Sequence, residues 1–483
     1  MRFAFLLLAL AALLPGCSDK PTDGSLTVSV IGEPPEIVDP SRKALSAPSA
    51  VLLSATAQGL VAFDAAGEIK PALGERWIIF DDGLDYTFRI AAGTSIDAAQ
   101  AARLLRRTVS PRSDNALRPV LGALDEIVAV TPEVVEIRLR SPRPNLLQLL
   151  AQPEMALLED GKGSGPMRIL SSDKGSVLLR PLLDEGADDP EAKAVRRGER
   201  DVRLIGEDAA HAIRRFVAGR AQLVLGGTLA DLPLAWEAKP PAGTLRFDPV
   251  AGLFGLQFVE RQGFVGPPEI RRALAMAIDR DRIVTDFAVK EWKPATSIVP
   301  APNADIPTPA VPDWATASIE DRRAAAAAAI AAWTKRQGPP PTLRIALPTG
   351  PGAERLFAMI REDWAAIGVG ATRVAIDADA DLRLIDAVAP ADVASWYLRR
   401  FTCRSSAVCS ETADQSLDGA RLVPTLAERS ALLADADRRL TDAVPFIPIA
   451  MPLRWSLAAP ALDRFRPNPR GAHPLDELRS PRR

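Results

Sequence analysis

The residues that could carry chemistry in this chain are few and far apart. Its 483 residues include two histidines, His211 and His473, and no nucleophile motif stands next to either. Neither the serine-hydrolase motif G-x-S-x-G nor the zinc motif H-E-x-x-H occurs. We therefore expect no histidine-rich metal site, no cofactor and no enzymatic activity. A hydrolase is the less favoured alternative, because nothing singles out a catalytic pair among the 61 acidic residues.

The first of the three cysteines lies in a targeting segment. Arg2 is followed by an apolar run over residues 3–14, which is too short for a stable transmembrane helix, and then by Pro15, Gly16 and Cys17. This order resembles the bacterial lipobox, in which the cysteine is diacylated and becomes the mature N-terminus. The alternative is an ordinary secretory signal with a chance cysteine. We predict a lipoprotein signal peptide over residues 1–17, a tether over 18–25, and a lipid-anchored protein of the periplasm or cell envelope.

The other two cysteines, Cys403 and Cys409, form an even pair in a chain that is expected to leave the cytoplasm. Oxidation is permitted there, so we predict a disulfide between them. Closing so short a loop would stabilise the fold by about 2–2.5 kcal/mol on the chain-entropy model. The alternative is two buried free thiols.

Length and composition restrict the class of protein. A chain of 483 residues is expected to form two or three domains. Hydrophobic residues make up 47% and charged residues 25%, which is typical of a globular protein. The net charge of −2 argues against nucleic-acid binding, which needs a basic surface.

The most informative stretch spans residues 253–300. Residues 253–259 form an apolar run bounded by glycine and charge, which predicts a buried strand. Two prolines follow, and then an apolar helix face with Arg271 and Arg272 on its other side. Asp279 is placed to end this helix and to cap a second one.

The amino-acid sequence of this stretch resembles that of a known protein family. It contains IRRALAMAIDRDRIV at 270–284 and PATSIVP at 294–300. This resembles the signature of the extracytoplasmic solute-binding proteins of the oligopeptide/dipeptide ABC importers, a family with nickel-binding members. Matching pieces follow the family's order along the chain, among them DP at 39–40, GLV at 59–61, DGLDYTF at 82–88, GSGPMRI at 163–169 and VPFIPI at 444–449.

The resemblance implies an α/β protein with the two-lobed periplasmic-binding-protein fold, type II with an extra accessory domain. Lobe I would comprise residues 26–55, 163–248 and 445–483, with an accessory subdomain over 56–162. Lobe II would comprise residues 249–444. The strand–helix–strand alternation over 343–376 also suggests parallel strands in lobe II. A hinge would let the lobes close on a ligand between them.

The same resemblance suggests residues that contact the ligand. Peptide-binding relatives carry a W-x-A-D-Y motif whose aspartate commonly anchors the ligand's α-amino group, and Ala391-Asp392-Val393 is the best match here. Asp392 could equally cap the helix predicted over 393–401. Trp396 could line the cleft or simply pack. The remaining candidates are Gln257, Ser49 and Gly226.

The function implied is a receptor for an ABC importer. It would capture peptides or similar small polar solutes and deliver them to a permease and ATPase, while anchored to the membrane and acting as a monomer. Few histidines make nickel a less favoured ligand. The main alternative is a lipoprotein of the same fold that serves no transporter, as a sensor or envelope component.

Overall fold

The computed structural model describes residues 25–182, 193 and 198–478. In this part of the chain the strands are β1 (Leu26–Ile31), β2 (Val61–Phe63), β3 (Ile69–Pro71), β4 (Gly74–Phe80), β5 (Asp85–Ile90), β6 (Leu124–Thr131), β7 (Val134–Leu139), β8 (Met167–Asp173), β9 (Ser176–Pro181), β10 (Val202–Glu207), β11 (Leu223–Gly227), β12 (Leu245–Asp248), β13 (Gly252–Phe258), β14 (Leu343–Leu347), β15 (Ala371–Ala375), β16 (Leu382–Val388), β17 (Phe446–Ala450) and β18 (Arg454–Ala458). The α-helices are α1 (Ala47–Thr56), α2 (Ala98–Val109), α3 (Leu146–Leu150), α4 (Ala209–Val217), α5 (Leu232–Glu237), α6 (Pro268–Ala277), α7 (Arg280–Asp286), α8 (Ile319–Gln337), α9 (Pro351–Ala365), α10 (Ala394–Arg399), α11 (Glu411–Gly419) and α12 (Leu426–Ala443).

The first lobe is built on a seven-stranded sheet in the order β12-β18-β11-β1-β10-β9-β8. The central strand β1 pairs in parallel with β10 and β11, and residues 26–30 are all buried, the polar Thr27 and Ser29 included. This agrees with a central parallel strand that is covered on both faces. The outer strands of this sheet pair antiparallel.

The second lobe is built on a five-stranded sheet in the order β15-β14-β16-β13-β17. Strand β14 is parallel to β15 and β16, as the strand–helix–strand pattern predicts. However, β13 runs antiparallel to both of its neighbours, so the sheet is mixed and not parallel throughout. The apolar run predicted as a strand forms β13, and the helix after it ends before Asp279, whose side chain caps α7 by accepting from the Arg282 N–H at 2.9 Å.

One prediction for this stretch is wrong. Arg271 was expected on the polar face of α6, but it is 5% exposed. Its guanidinium donates to the carbonyls of Val265 and Ala443, at 3.0 and 2.6 Å. The end of α12 and the turn before α6 leave these carbonyls without helix or sheet partners, and a buried arginine supplies the missing donors.

An accessory subdomain carries a four-stranded antiparallel sheet, β4-β5-β7-β6, with the β2–β3 hairpin beside it. Helix α2 begins with a capping box, in which Asp97 and Gln100 each accept from the other's backbone N–H. The apolar core of the subdomain also includes Ala391 and Val393 of the second lobe. The accessory subdomain and the second lobe are therefore in direct contact.

The chain crosses between the two main lobes twice, after β12 and after β17. A single apolar core spans these crossings, because it joins Val224 and Leu457 of the first lobe to Phe254 and Leu256 of the second. Among the described residues, no helix combines the length and apolarity needed to span a membrane. The predicted signal peptide with Cys17 lies outside the described residues.

Candidate ligand-binding cleft

A cavity of about 270 Å³ lies where the first lobe, the accessory subdomain and the lobe crossings meet. Its walls come from α1, the β2–β3 hairpin, the end of β11, the start of β18 and the segment 470–476. Val388, at the end of β16, brings the second lobe to the same space. The lining is mostly apolar with a few polar groups, which is the usual character of a small-molecule site. Two further concavities are lined by second-lobe residues alone.

Most charged side chains in this cavity already have a partner. Lys70 pairs with Glu477 and lies 3.8 Å from Asp476. Arg454 Nη1 lies 2.7 Å from Asp386 Oδ1, across the crossing between the lobes. These ion pairs neutralise their own charges, so they shape the wall without offering a free charge to a ligand.

His473 and Asp248 form a third pair in the cavity wall. The His473 Nε2 atom lies 3.1 Å from Asp248 Oδ2, and both side chains are at most 6% exposed. The imidazole stacks on Phe465 with ring centroids 4.6 Å apart. Asp248 also accepts from the backbone N–H of Asn468 at 3.0 Å. This pair ties the C-terminal segment to β12 and thereby fixes one side of the cavity.

Arg470 differs from the other charged residues of the cavity. It is half-buried, its Nε is buried without a hydrogen-bond partner, and within the described residues its guanidinium has no ion pair. Burial lowers its pKa, and the nearby charge of Asp392 raises it again in part. A guanidinium with open donors in an apolar cavity is suited to bind a carboxylate through two parallel hydrogen bonds.

Local structure explains how Arg470 reaches this position. Its backbone N–H donates to Asn468 Oδ1 at 3.0 Å, and Gly471 follows with a φ of 60°. Arg470 stands in the sequence PNPRG, a composition that favours turns. The tight turn directs the Arg470 side chain toward the cavity. The stem of Arg470 packs close to Gly67, in the turn between β2 and β3.

Asp392 lies near this group but does not line the cavity. Its side chain accepts a hydrogen bond from Asn303 at 2.9 Å, and its backbone carbonyl accepts one from Asn145 at 2.7 Å. Burial raises the pKa of the neighbouring Tyr397, and the charge of Asp392 adds to this effect. The carboxylate therefore sits at the contact between the second lobe and the accessory subdomain, within electrostatic reach of Arg470.

The structure contradicts the alternative role of Asp392 as a helix cap. Helix α10 begins at Ala394, and its N-cap residue Val393 makes no side-chain cap. The Ala394 N–H donates instead to Asp305, 89 residues away, at 2.9 Å. Asp305 is held there by Arg429, which binds both of its carboxylate oxygens. A loop distant in sequence thus supplies the cap.

The other sequence-based candidates lie in different places. Gly226 lines the cavity and has a φ of 82°, a conformation that favours glycine. Ser49 is buried on the opposite side of α1, where its hydroxyl accepts from the Glu36 N–H at 3.0 Å. The α1 residues that line the cavity are Ala47, Ala50, Val51 and Ser54.

Trp396 and Gln257 are both outside the cavity lining. Trp396 packs edge-on against Tyr397, with centroids 4.9 Å apart, and Arg400 lies over its ring at 5.2 Å. Gln257 donates to Ser406 at 3.2 Å within the second lobe. Gly226 is thus the one predicted residue that the structure places among the cavity-lining groups. Arg470, Arg454 and the His473–Asp248 pair gave no distinctive signal in the sequence.

The disulfide and metal predictions concern other parts of the molecule. Cys403 and Cys409 are joined by a disulfide in a loop of the second lobe, with Cα atoms 5.0 Å apart. The Cys403 N–H donates to Asp414 at 2.9 Å, which fixes the loop against α11. Across the described residues, no group of three or more histidine, cysteine, aspartate or glutamate side chains is arranged to hold a metal ion.

Comparison with known proteins agrees with this architecture. The chain is 24% identical over 482 aligned residues to the dipeptide-binding protein of Pseudomonas aeruginosa, covering 85% of this chain and 86% of that protein. The murein tripeptide binding protein MppA of Escherichia coli has a similar structure, with a TM-score of 0.78 and 18% identity over 94% of this chain and 97% of MppA. OppA of Haemophilus influenzae, in complex with RPPGFSPFR, gives a TM-score of 0.76 and 14% identity over 94% and 98%.

These structural neighbours confirm the predicted two-lobed fold of periplasmic binding proteins. A family model described as bacterial extracellular solute-binding proteins, family 5 Middle, matches residues 68–398. That range covers more than half of the chain and includes residues 253–300, whose sequence resembles this family. The chain therefore belongs to the bacterial extracellular solute-binding proteins of family 5.

Proposed function

We propose that this protein is the receptor of an ABC importer and captures a short peptide, or a similar small solute with a carboxylate, in the cavity between its lobes. The single observation that carries this proposal is Arg470, whose guanidinium has no ion pair within the described residues and lies in an otherwise neutralised cavity. Relatives named for binding dipeptides and tripeptides support the choice of ligand class.

The size of the cavity favours a small ligand. A volume of about 270 Å³ is near the lower end of ligand pockets, which are about 300–1,000 Å³. It suits a dipeptide or tripeptide better than a nonapeptide such as the one bound by OppA. In this proposal Arg470 binds the carboxylate and Asp392 attracts the amino group.

The proposal also includes the protein's setting. Lipidation at Cys17 would anchor the chain at the cell envelope, with residues 18–25 as the tether. The monomer would pass its ligand to a membrane permease and ATPase. Lobe closure at the two crossings would signal that the ligand is bound. The lobe and accessory boundaries of this proposal are those given above, except that β17 pairs in the second-lobe sheet.

The test uses residues 18–483, which include every residue that the structure describes. Native mass spectrometry identifies a co-purifying ligand, and calorimetry measures its affinity together with a set of dipeptides and tripeptides. Arg470→Gln should weaken binding roughly 10- to 150-fold, because a charge-assisted hydrogen bond contributes about 1.5–3 kcal/mol. Arg361→Gln, at an exposed position on α9, is the matched control and should leave the affinity unchanged.

The ligand itself provides a second comparison. Amidation of its carboxyl group should weaken binding to the unsubstituted protein and have little further effect on Arg470→Gln, because both changes remove the same contact. Equal weakening of both proteins by amidation would contradict the role of Arg470. Failure to bind any carboxylate-bearing ligand would contradict the proposed function.

A further inference from the structure

The contact between the accessory subdomain and the second lobe brings four arginines together. Arg143 precedes α3 in the accessory subdomain, and the second-lobe charges that act on it are those of Arg429, Asp305, Arg399 and Arg421. We call Arg143, Arg399, Arg421 and Arg429 the Arg143 cluster. No member of it lines the cavity described above. The cluster is therefore separate from the proposed ligand site.

Two carboxylates neutralise part of this charge. Arg429 binds Asp305 through both oxygens, and the two side chains are 5% and 6% exposed. Arg399 lies 3.2 Å from Asp418, whose side chain is 68% exposed and hence largely solvated. These pairs account for two of the four guanidinium charges.

Among the described residues, neither of the two other arginines has a carboxylate of its own: Arg421 shares Asp418 with Arg399, and Asp305, which acts on Arg143, is bound to Arg429. Arg421 donates to the Pro119 carbonyl of the accessory subdomain at 2.7 Å. The distance from Arg421 Nη1 to Asp418 Oδ1 is 4.0 Å. Arg143 is half-buried, and its Nη1 is buried without a hydrogen-bond partner. The contact thus encloses more positive than negative charge, which opposes its formation.

The position of Arg143 is fixed by its own subdomain. The Tyr86 hydroxyl donates to the Arg143 carbonyl at 3.0 Å, and the Leu146 N–H donates to the same atom. Burial lowers the pKa of Arg143 to about 9, and the charge of Arg429 contributes next, so the guanidinium is still charged near neutral pH. When the accessory subdomain contacts the second lobe, the guanidinium of Arg143 therefore comes close to the guanidinium groups of the second lobe.

We propose that the Arg143 cluster is a binding site for a small oxyanion, which links the accessory subdomain to the second lobe and favours their contact. Guanidinium groups present planar pairs of donors that match phosphate and carboxylate oxygens. An oxyanion would supply the acceptor that Arg143 Nη1 lacks and would offset the excess charge. Inorganic phosphate and free carboxylates share this chemistry.

The experiment titrates ligand-free protein, residues 18–483, with sodium phosphate against sodium chloride at equal ionic strength, and with sodium acetate in a parallel arm. Thermal unfolding reports binding, and small-angle X-ray scattering reports compaction. We expect a saturable rise in melting temperature with phosphate, and a decrease in the radius of gyration. A response to acetate of similar size would identify a carboxylate as an equally good ligand.

Variants locate the effect. Arg143→Gln should weaken the phosphate response at least about tenfold, the factor expected for one charged hydrogen bond. It should also raise the melting temperature in chloride alone, because it removes a buried cation. Arg138→Gln, at an exposed position on β7 of the same subdomain, is the matched control. Arg470→Gln should keep the full response, which separates this site from the proposed ligand cavity.

Several outcomes would overturn the inference. One is a phosphate response that matches chloride at equal ionic strength or does not saturate. Another is an unchanged response in Arg143→Gln. Loss of the response in Arg470→Gln with retention in Arg143→Gln would place the anion in the ligand cavity instead. Should Arg143→Gln not fold, Arg421→Gln serves as the second variant and is expected to weaken the response similarly.

Discussion

At the scale of single residues, the second lobe holds a buried carboxylate that does not touch the ligand cavity. Asp437 on α12 is fully buried, and one of its oxygens accepts from the Ala310 N–H at 2.7 Å. Its other oxygen has no hydrogen-bond partner. Burial raises the pKa of Asp437 to about 6, because the charged form loses its hydration.

This pKa predicts the direction of a pH effect. The folded state binds the proton more tightly than the unfolded state, so the cost of ionising Asp437 is absent below about pH 4 and complete above about pH 6. The difference between a pKa of about 6 and the ordinary value near 4 corresponds to roughly 3 kcal/mol at neutral pH. Asp437→Asn should therefore raise the free energy of unfolding at pH 7 by up to this amount and leave it little changed at pH 4.

Urea unfolding of both proteins between pH 4 and 7 checks this expectation. Asp435→Asn on the same helix is the control of opposite sign, since the hydrogen bond from Arg439 lowers the pKa of Asp435. Its ionised form stabilises the fold, so Asp435→Asn should be less stable than the unsubstituted protein by a nearly constant amount between pH 4 and 7, and this deficit should shrink only as the pH falls below about 4. Parallel pH curves for the unsubstituted protein and Asp437→Asn would refute the assignment.

At the scale of elements, a glycine at the end of β11 leaves space for the indole ring of Trp455 on β18. Gly227 faces Trp455 of β18 in the sheet register, and an added Cβ would lie 2.2 Å from the indole ring. The ring is 1% exposed, and its Nε1 donates to the Thr228 carbonyl at 2.8 Å. Both residues line the cavity, so the absence of a side chain at Gly227 sets its shape.

Gly227→Ala should therefore destabilise the protein by about 1–3 kcal/mol, the usual cost of overpacking, and should weaken ligand binding. Urea unfolding followed by tryptophan fluorescence measures the first effect, and calorimetry the second. Gly419→Ala at the end of α11 is the control, because its nearest neighbour is a flexible Leu432 methyl at 3.4 Å. An equal effect in both variants would argue against a specific role of the Gly227–Trp455 contact.

At the scale of the whole molecule, the accessory subdomain holds the second lobe through polar contacts beside the cavity. Asn145 donates to the Asp392 carbonyl at 2.7 Å, and Gln152 donates to the Pro390 carbonyl at 2.5 Å. The Ser141 hydroxyl donates to the Arg421 carbonyl at 3.3 Å. These bonds join separate bodies, so they contribute only when the two are together.

Asn145→Ala should accordingly weaken every ligand by a similar factor, because it disfavours the arrangement that encloses them all. Loss of one hydrogen bond, about 0.5–1.5 kcal/mol, corresponds to roughly 2- to 12-fold in affinity. Calorimetry with ligands of several sizes measures the factor. The exposed Gln337→Ala is the control. A loss confined to one ligand would indicate that Asn145 contacts that ligand directly.

Local patterns in the sequence were enough to predict the elements of the stretch over residues 253–300. The cap at Asp279 and the apolar run of β13 depend on residues a few positions apart, so their signals are contained in the chain itself. The sequence motifs within residues 253–300 likewise identified the family. The site was predicted less well: Gly226 lines the cavity, but Ser49 and Gln257 satisfy backbone and side-chain partners elsewhere.

The family and the elements of the stretch over residues 253–300 can be predicted from the sequence, because they follow from periodicity, caps and short motifs. Which polar groups come together depends on the three-dimensional fold. His473 pairs with Asp248 across 225 positions, and Arg470 reaches the cavity from the C-terminal segment. The position of Arg271 on its helix predicts an exposed side chain. In the folded protein the side chain is buried and donates to the Ala443 carbonyl, 172 positions away. Such pairings depend on how the lobes fold over one another, and no local pattern encodes that geometry.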